Sequence, residues 1–202
     1  VMNPGVATAT ISGSVTHYFT TTTANVQKIK YDLYNVGMNV TSLTYHGISY
    51  TSTARIDHIV DTVEINLPAP IVVTGTLDSV TIFYNGTPPN SANSRGYKRN
   101  TMNSIANLST HSSGYFARQW WPCKHTLGDK IDSVHIIVTA PDVNLVVSNG
   151  LLQTPSPASV GGNKTWYWRT TYPVAHYLIA IAVYPYVVYT SPSAIISGTP
   201  VP

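Results

Sequence analysis

Apolar and polar residues alternate along most of the chain. Ile29, Tyr31 and Leu33 interleave with Lys28, Lys30 and Asp32; Val63, Ile65 and Leu67 interleave with Thr62, Glu64 and Asn66. Val80, Ile82 and Tyr84, then Val134, Ile136 and Val138, repeat the pattern, and Trp166 and Trp168 share one face. A period of two is that of a strand with one face buried, and the 3.6-residue period of an amphipathic helix is scarce. Gly, Pro, Asn or Asp bounds each run, as strand ends require. Asn85-Gly86 and Asn149-Gly150 are predicted turns, because both residue types tolerate positive φ. Residues 178–183 are almost continuously apolar and predict a strand buried on both faces.

On the order of ten or more strands follow from this reading, and that many need two packed sheets or one strongly curved sheet. The predicted class is all-β, a sandwich or barrel of antiparallel strands with little helix. Residues 88–114 are rich in Ser, Asn, Arg and Gly with little period, and predict a long loop. Residues 191–202, with Pro192, Pro200 and Pro202, read as a linker, which leaves residues 1–190 as one β domain.

Composition narrows the function. Apolar residues make up 43% of the 202, enough for a real core, while charged residues make up 9%. An average soluble domain is about 25% charged, so the exposed strand faces must be built from Thr, Ser, Asn and Tyr. The net charge of +3 is too small and scattered for a nucleic-acid partner. The densest basic cluster, Arg95, Lys98 and Arg99, falls in the predicted loop and reads as solvated. No run of 18 apolar residues is present to form a membrane-spanning helix. Cys123 is the single cysteine, so there is no internal disulfide and no paired-cysteine metal or redox motif.

The chemistry-bearing residues do not assemble into a reaction motif. Glu64 is the one glutamate and no His-Glu-x-x-His occurs. The seven histidines, His17, His46, His58, His111, His125, His135 and His176, lack the helical spacing of a metal pair and read as surface or hydrogen-bonded core residues. Ser12 sits in no nucleophile elbow, and Gly161-Gly162 in no phosphate loop. Asp129 and Asp132 lie in a loop entering a strand, where a shared direction for paired carboxylates is not expected. Asn39, Asn85, Asn107 and Asn163 head Asn-x-Ser/Thr triplets, compatible with secretion at a frequency near chance.

One segment is distinctive. Residues 117–130 read Ala-Arg-Gln-Trp-Trp-Pro-Cys-Lys-His-Thr-Leu-Gly-Asp-Lys. Pro122 biases Trp121 toward extended backbone, Cys123 reads as a small buried hydrophobe, and Arg118 is placed to stack on an aromatic ring or fork onto a carboxylate. The segment resembles the signature of the first domain of the zinc aminopeptidase N family, with the match at Ala117, Arg118, Trp121, Pro122, Cys123 and Lys130. The resemblance continues through the strand at residues 132–141, Val147-Ser148-Asn149-Gly150, Trp166-Tyr167-Trp168 and residues 172–179, and in the first half through Leu67-Pro68 and residues 77–86.

The resemblance, to the bacterial secreted type in particular, implies a saddle-like β domain set against the catalytic domain of its own parent chain. Zinc and the residues that hold it would lie in that catalytic domain, with no cofactor in this chain, and the parent's substrates would be peptides. A secreted, cell-surface or periplasmic location is implied as well. The family's first domain lends one polar substrate anchor, Gln or Glu, a few residues before the Ala-Arg pair; here that position falls at His111 or Ser112. Phe116 and His125 replace acids common in the family. The competing reading is a free-standing secreted β-sandwich binding carbohydrate or protein, for which Trp120, Trp121, Trp166 and Trp168 would have to be exposed in a row.

Overall fold

The structure, a computed structural model, describes residues 1–51, 54–90, 95–154 and 156–188, and the backbone of 194–196 and 199–201. In chain order the first ten strands are β1 (Met2–Pro4), β2 (Ile11–Thr20), β3 (Val26–Asp32), β4 (Met38–Tyr45), β5 (Ile48–Tyr50), β6 (Ile56–Ile59), β7 (Thr62–Ile71), β8 (Leu77–Gly86), β9 (Tyr97–Met102) and β10 (Ile105–Thr110). There follow β11 (Lys130–Ile131), β12 (Val134–Pro141), β13 (Leu145–Ser148), β14 (Leu151–Leu152), β15 (Asn163–Thr170), β16 (Val174–Ala175), β17 (Ile181–Tyr184), β18 (Ala194–Ile196) and β19 (Thr199–Val201). Among the described residues the helical content is two 3-10 turns, Ala117–Gln119 and His176–Leu178.

An eight-stranded sheet runs β14-β15-β12-β1-β2-β8-β4-β5. Its β1–β12 contact is parallel and its other neighbours are antiparallel. A four-stranded sheet runs β13-β17-β10-β9 and a three-stranded sheet runs β3-β7-β6. All three contribute to one core, in which Leu33, Leu43, Val63, Val80, Ile82, Leu108, Val138 and Val183 are at most 2% exposed. The chain is therefore an all-β sandwich in which each sheet buries one face. The expected alternation is seen on the strands: Val63, Ile65 and Leu67 are buried on β7 between partly exposed Thr62, Glu64 and Asn66, and β8 repeats this with Val80, Ile82 and Tyr84.

Three local expectations are corrected. Residues 88–114 are not one loop, since β9 and β10 form a hairpin closed by Asn103 and Ser104, both at positive φ (51° and 64°). Lys98 and Arg99 thus lie on a strand, and Arg99 Nε donates to the Val6 carbonyl at 2.8 Å. Residues 178–183 are not a strand buried on both faces. Leu178 ends a 3-10 turn and is 54% exposed, and β17 begins at Ile181, burying Ile181 and Val183 on one side only. Asn85-Gly86 is not a turn but the end of β8, where Gly86 passes so close to β4 that a Cβ would sit 2.1 Å from the Gly37 carbonyl oxygen. Asn149-Gly150 does redirect the chain, from β13 in one sheet to β14 in another. The predicted linker at 191–202 lies outside the described residues, apart from the backbone pairing of β18 with β19.

Candidate functional site

The Pro-Cys segment forms a corner bolted to two other elements. A 3-10 turn at Ala117–Gln119 lets the Trp120 and Trp121 amides both donate to the Ala117 carbonyl. The chain then runs through Pro122 to Cys123, which bridges Asp32 at the end of β3, with N–H to C=O distances of 2.8 and 3.0 Å. His17 on β2 lies 3.0 Å through Nε2 from the Pro122 carbonyl, and its ring stacks on Tyr31 with centroids 4.0 Å apart. The Tyr34 amide donates to the Arg118 carbonyl at 2.7 Å. The corner is packed dry, with Ala117, Trp120 and Cys123 at 0% exposure, Trp121 at 4% and Pro122 buried.

The other predicted residues divide sharply. Arg118 keeps one contact with a carboxylate, Asp61 at 3.8 Å, rather than a two-pronged fork or a stack. Lys130 is exposed on β11, paired through its backbone with Ala175. Ser112 is buried, and its hydroxyl accepts the Trp120 indole N–H at 2.8 Å. His111 is exposed, with its amide shared between the Arg95 and Gly96 carbonyls and Nε2 3.0 Å from the Ser113 hydroxyl. Of the two candidate substrate neighbours, only His111 presents its side chain to the surface.

Sequence reasoning missed the groups gathered beneath this corner. Cys123 Sγ lies 3.9 Å from His125 Nδ1, the His125 amide donates to Asp32 Oδ2 at 3.2 Å, and the His125 and His176 rings meet edge to face at 4.8 Å. His176 is 2% exposed, with its ring near the Thr126 backbone and no hydrogen bond of good geometry at either nitrogen. Alternation around Asp32 and the apolar context of His176 carried no sign of a cluster.

The surroundings of this cluster disfavour an activated nucleophile. Burial, reinforced by the Asp32 carboxylate, holds the Cys123 thiol well above its usual pKa, and the Arg118 cation offsets only part of this. Burial likewise lowers His125, helped by His176 and Arg118, and lowers His176 against the opposing pull of Asp32 and the Thr126 backbone. A neutral thiol beside neutral imidazoles is the reverse of an activated thiolate–imidazolium pair. Nor does it fit the zinc that the family resemblance implies for the parent: among the described residues no three His, Cys, Asp or Glu side chains are grouped so as to hold a metal ion.

The fold into which this corner is built is found in zinc metallopeptidases of the M1 class. Superposition on the M1 zinc metallopeptidase from Deinococcus radiodurans gives a TM-score of 0.78 at 23% identity, and on a mutant of that enzyme 0.81 at 23% identity. Each match covers 99% of this chain and 44% of the other. Yeast LTA4 hydrolase in complex with bestatin gives 0.65 at 15% identity, covering 90% of this chain and 27% of that one. The chain thus spans less than half the length of these structures. No family model matches the sequence, and no curated protein matches it. At these identities the likeness establishes the fold.

Proposed function

We propose that residues 1–190 are the non-catalytic N-terminal β domain of a zinc-dependent metallo-aminopeptidase that removes N-terminal residues from peptides, and that residues 191–202 lead toward its catalytic domain. The observation that carries this reading is the match over 99% of the chain to only 44% of a zinc metallopeptidase. The domain would wall the substrate cleft and supply no acid, base or metal ligand. The Pro-Cys corner is then a scaffold that holds the segment preceding it, with His111 the side chain nearest a bound peptide. The low charge and hydroxyl-rich surface suit a location outside the cytoplasm.

One sheet face is a candidate for covering by such a catalytic domain. The outward side of the four-stranded sheet carries Val147, Ile105 and Met102, which are 41 to 44% exposed, together with Ala182 and Tyr184, and Lys98, Asn100, Asn107 and Ser109 lie on the same side. Tyr186 stacks edge to face on Tyr184, and Val187 beside it is 91% exposed. A face of mixed apolar and polar residues, with several apolar side chains left exposed, suits a covering element. By contrast, the Trp-based sugar module loses its material, since Trp120, Trp121 and Trp166 are at most 6% exposed. The test is the double substitution Ile105→Asp with Val147→Asp in the full-length protein. Peptidase activity and thermal stability should both fall, while unfolding of the 202-residue chain alone changes by less than about 0.5 kcal/mol. Equal effects in the two settings, or none in either, would count against the docking surface.

A further inference from the structure

The eight-stranded sheet buries one side in the core and leaves the other open. Along its whole width the strands hold three formally charged residues, Asp78, Lys164 and Arg169. Asp78 and Lys164 share the register of the core-facing residues, so among the described strand residues Arg169 is the one formal charge on the open side. Opposite-charge pairs across the ladder are one way in which solvent-facing strands are stabilised. This chain makes such pairs elsewhere, on the three-stranded sheet, where Glu64 meets Lys28 at 2.5 Å and Lys30 at 2.9 Å. Charge is therefore segregated away from the larger face.

Hydroxyls and amides stand in its place, in rows. Thr16, Thr81, Thr44 and Ser49 lie in register across four consecutive strands. Neighbouring strands are about 4.8 Å apart, so the row extends roughly 14 Å. Ser12, Asn85 and Asn39 make a parallel row. Cross-strand bonds fix some of these rotors: Thr16 to Thr81 at 2.8 Å and Thr139 to Thr165 at 2.9 Å, between hydroxyl oxygens. Aromatic rings interrupt the rows at Tyr18 (72% exposed), Phe83 (37%) and Tyr167 (42%). Beside Tyr167, a shallow cleft of about 300 Å³ is lined by His135, Gln153 and Arg169.

We propose that the open face of the eight-stranded sheet binds an uncharged, hydroxyl-rich polysaccharide. Charge complementarity selects this occupant. Anionic polymers are held by arrays of cations, which this face lacks. A protein or lipid partner would call for one contiguous apolar patch, whereas the apolar side chains on this face fall into separate small groups, Tyr18 with Leu77, Phe83, and Tyr167 with Ile137 and Leu151, parted by Thr, Ser and Asn. A neutral glycan offers what the face can use: hydroxyls that exchange hydrogen bonds with fixed Thr, Ser and Asn groups, and apolar ring faces that cover Tyr and Phe without stranding a charge. The inference is independent of the peptidase reading, because the face points away from the core and is distinct from the proposed docking surface.

The experiment is retention of the full-length protein on cellulose, chitin and a soluble neutral β-glucan, with heparin and polygalacturonate as anionic controls. Retention is expected on at least one neutral polymer, with little change when salt is raised from about 0.05 to about 0.5 M, because no ion pair is involved. The double variant Tyr18→Ala with Phe83→Ala should weaken it at least about tenfold. Thr81→Lys, which places a charge mid-row, should do the same, with unchanged near-ultraviolet dichroism reporting an intact fold. Peptidase activity should be unaffected by either change. Absence of retention on every neutral polymer, retention that both variants preserve, or salt-sensitive retention on the anionic polymers alone would overturn the proposal.

Discussion

His17 couples folding to pH. Its ring lies between Tyr31 and the corner, stacked at 4.0 Å on Tyr31 and 6.5 Å from the Trp121 ring, with Nε2 against the Pro122 carbonyl. Burial depresses its pKa from 6.5 to about 4, and the Pro122 hydrogen bond opposes this only in part. The unfolded chain therefore binds the proton more tightly than the native one. Stability is complete above the unfolded value of 6.5, declines as pH falls through the interval, and levels off below about 4. At 1.36 kcal/mol per pH unit the full loss is about 3 kcal/mol, of which about 2.5 is reached by pH ~4.5. Asp78 and Glu64 are carboxylates with lowered values, so their contribution is lost at lower pH still and does not mimic the effect. His125 and His176 are lowered as well and act in the same direction, so the comparison must be made against a variant. Urea unfolding of wild type and His17→Gln, followed by tryptophan emission at pH ~7.5 and ~4.5, isolates the term. The variant should lose about 2 to 2.5 kcal/mol less than wild type between the two pH values. Equal losses would refute the reasoning.

Further outcomes follow from the corner and its surroundings. Ser112→Ala strands the indole N–H of fully buried Trp120 and should cost about 1 to 3 kcal/mol in urea unfolding, with Ser112→Thr milder. Gly150→Ala should cost more than about 2 kcal/mol, because φ there is +86° and a Cβ would stand 2.1 Å from the Arg169 carbonyl oxygen; a thermal shift near zero would contradict this. Cys123, buried with its thiol pKa raised, should resist a disulfide-exchange reagent in the native chain and react at once in denaturant. In the full-length protein His111→Ala should raise KM for peptide substrates with kcat little changed, the mark of a residue that contacts substrate without joining the chemistry.

The all-β class was legible because half-buried strands write their burial into every second residue, as at Val63-Glu64-Ile65 on β7. The β9–β10 hairpin was not, for two physical reasons. Its turn uses Asn103-Ser104 without glycine, although both residues take positive φ. Its inward side also includes Arg99 opposite Leu108, a charge made tolerable by the distant Val6 carbonyl. Leu178 misled in the other direction, since an apolar residue next to a strand sits exposed at the end of a 3-10 turn. The corner itself was visible as a motif of consecutive residues. Its supports, His17, Asp32, Asp61 and His176, come from remote strands and turns, and nothing local marks them until the sheets bring them together.

Hydrolysis of an aminoacyl p-nitroanilide, measured for the full-length protein and for the 202-residue chain alone, tests the account most directly. The full-length protein should cleave the reporter and lose that activity to a zinc chelator, while the chain alone releases no product with or without added zinc. Zinc-dependent turnover by the chain alone would contradict the account.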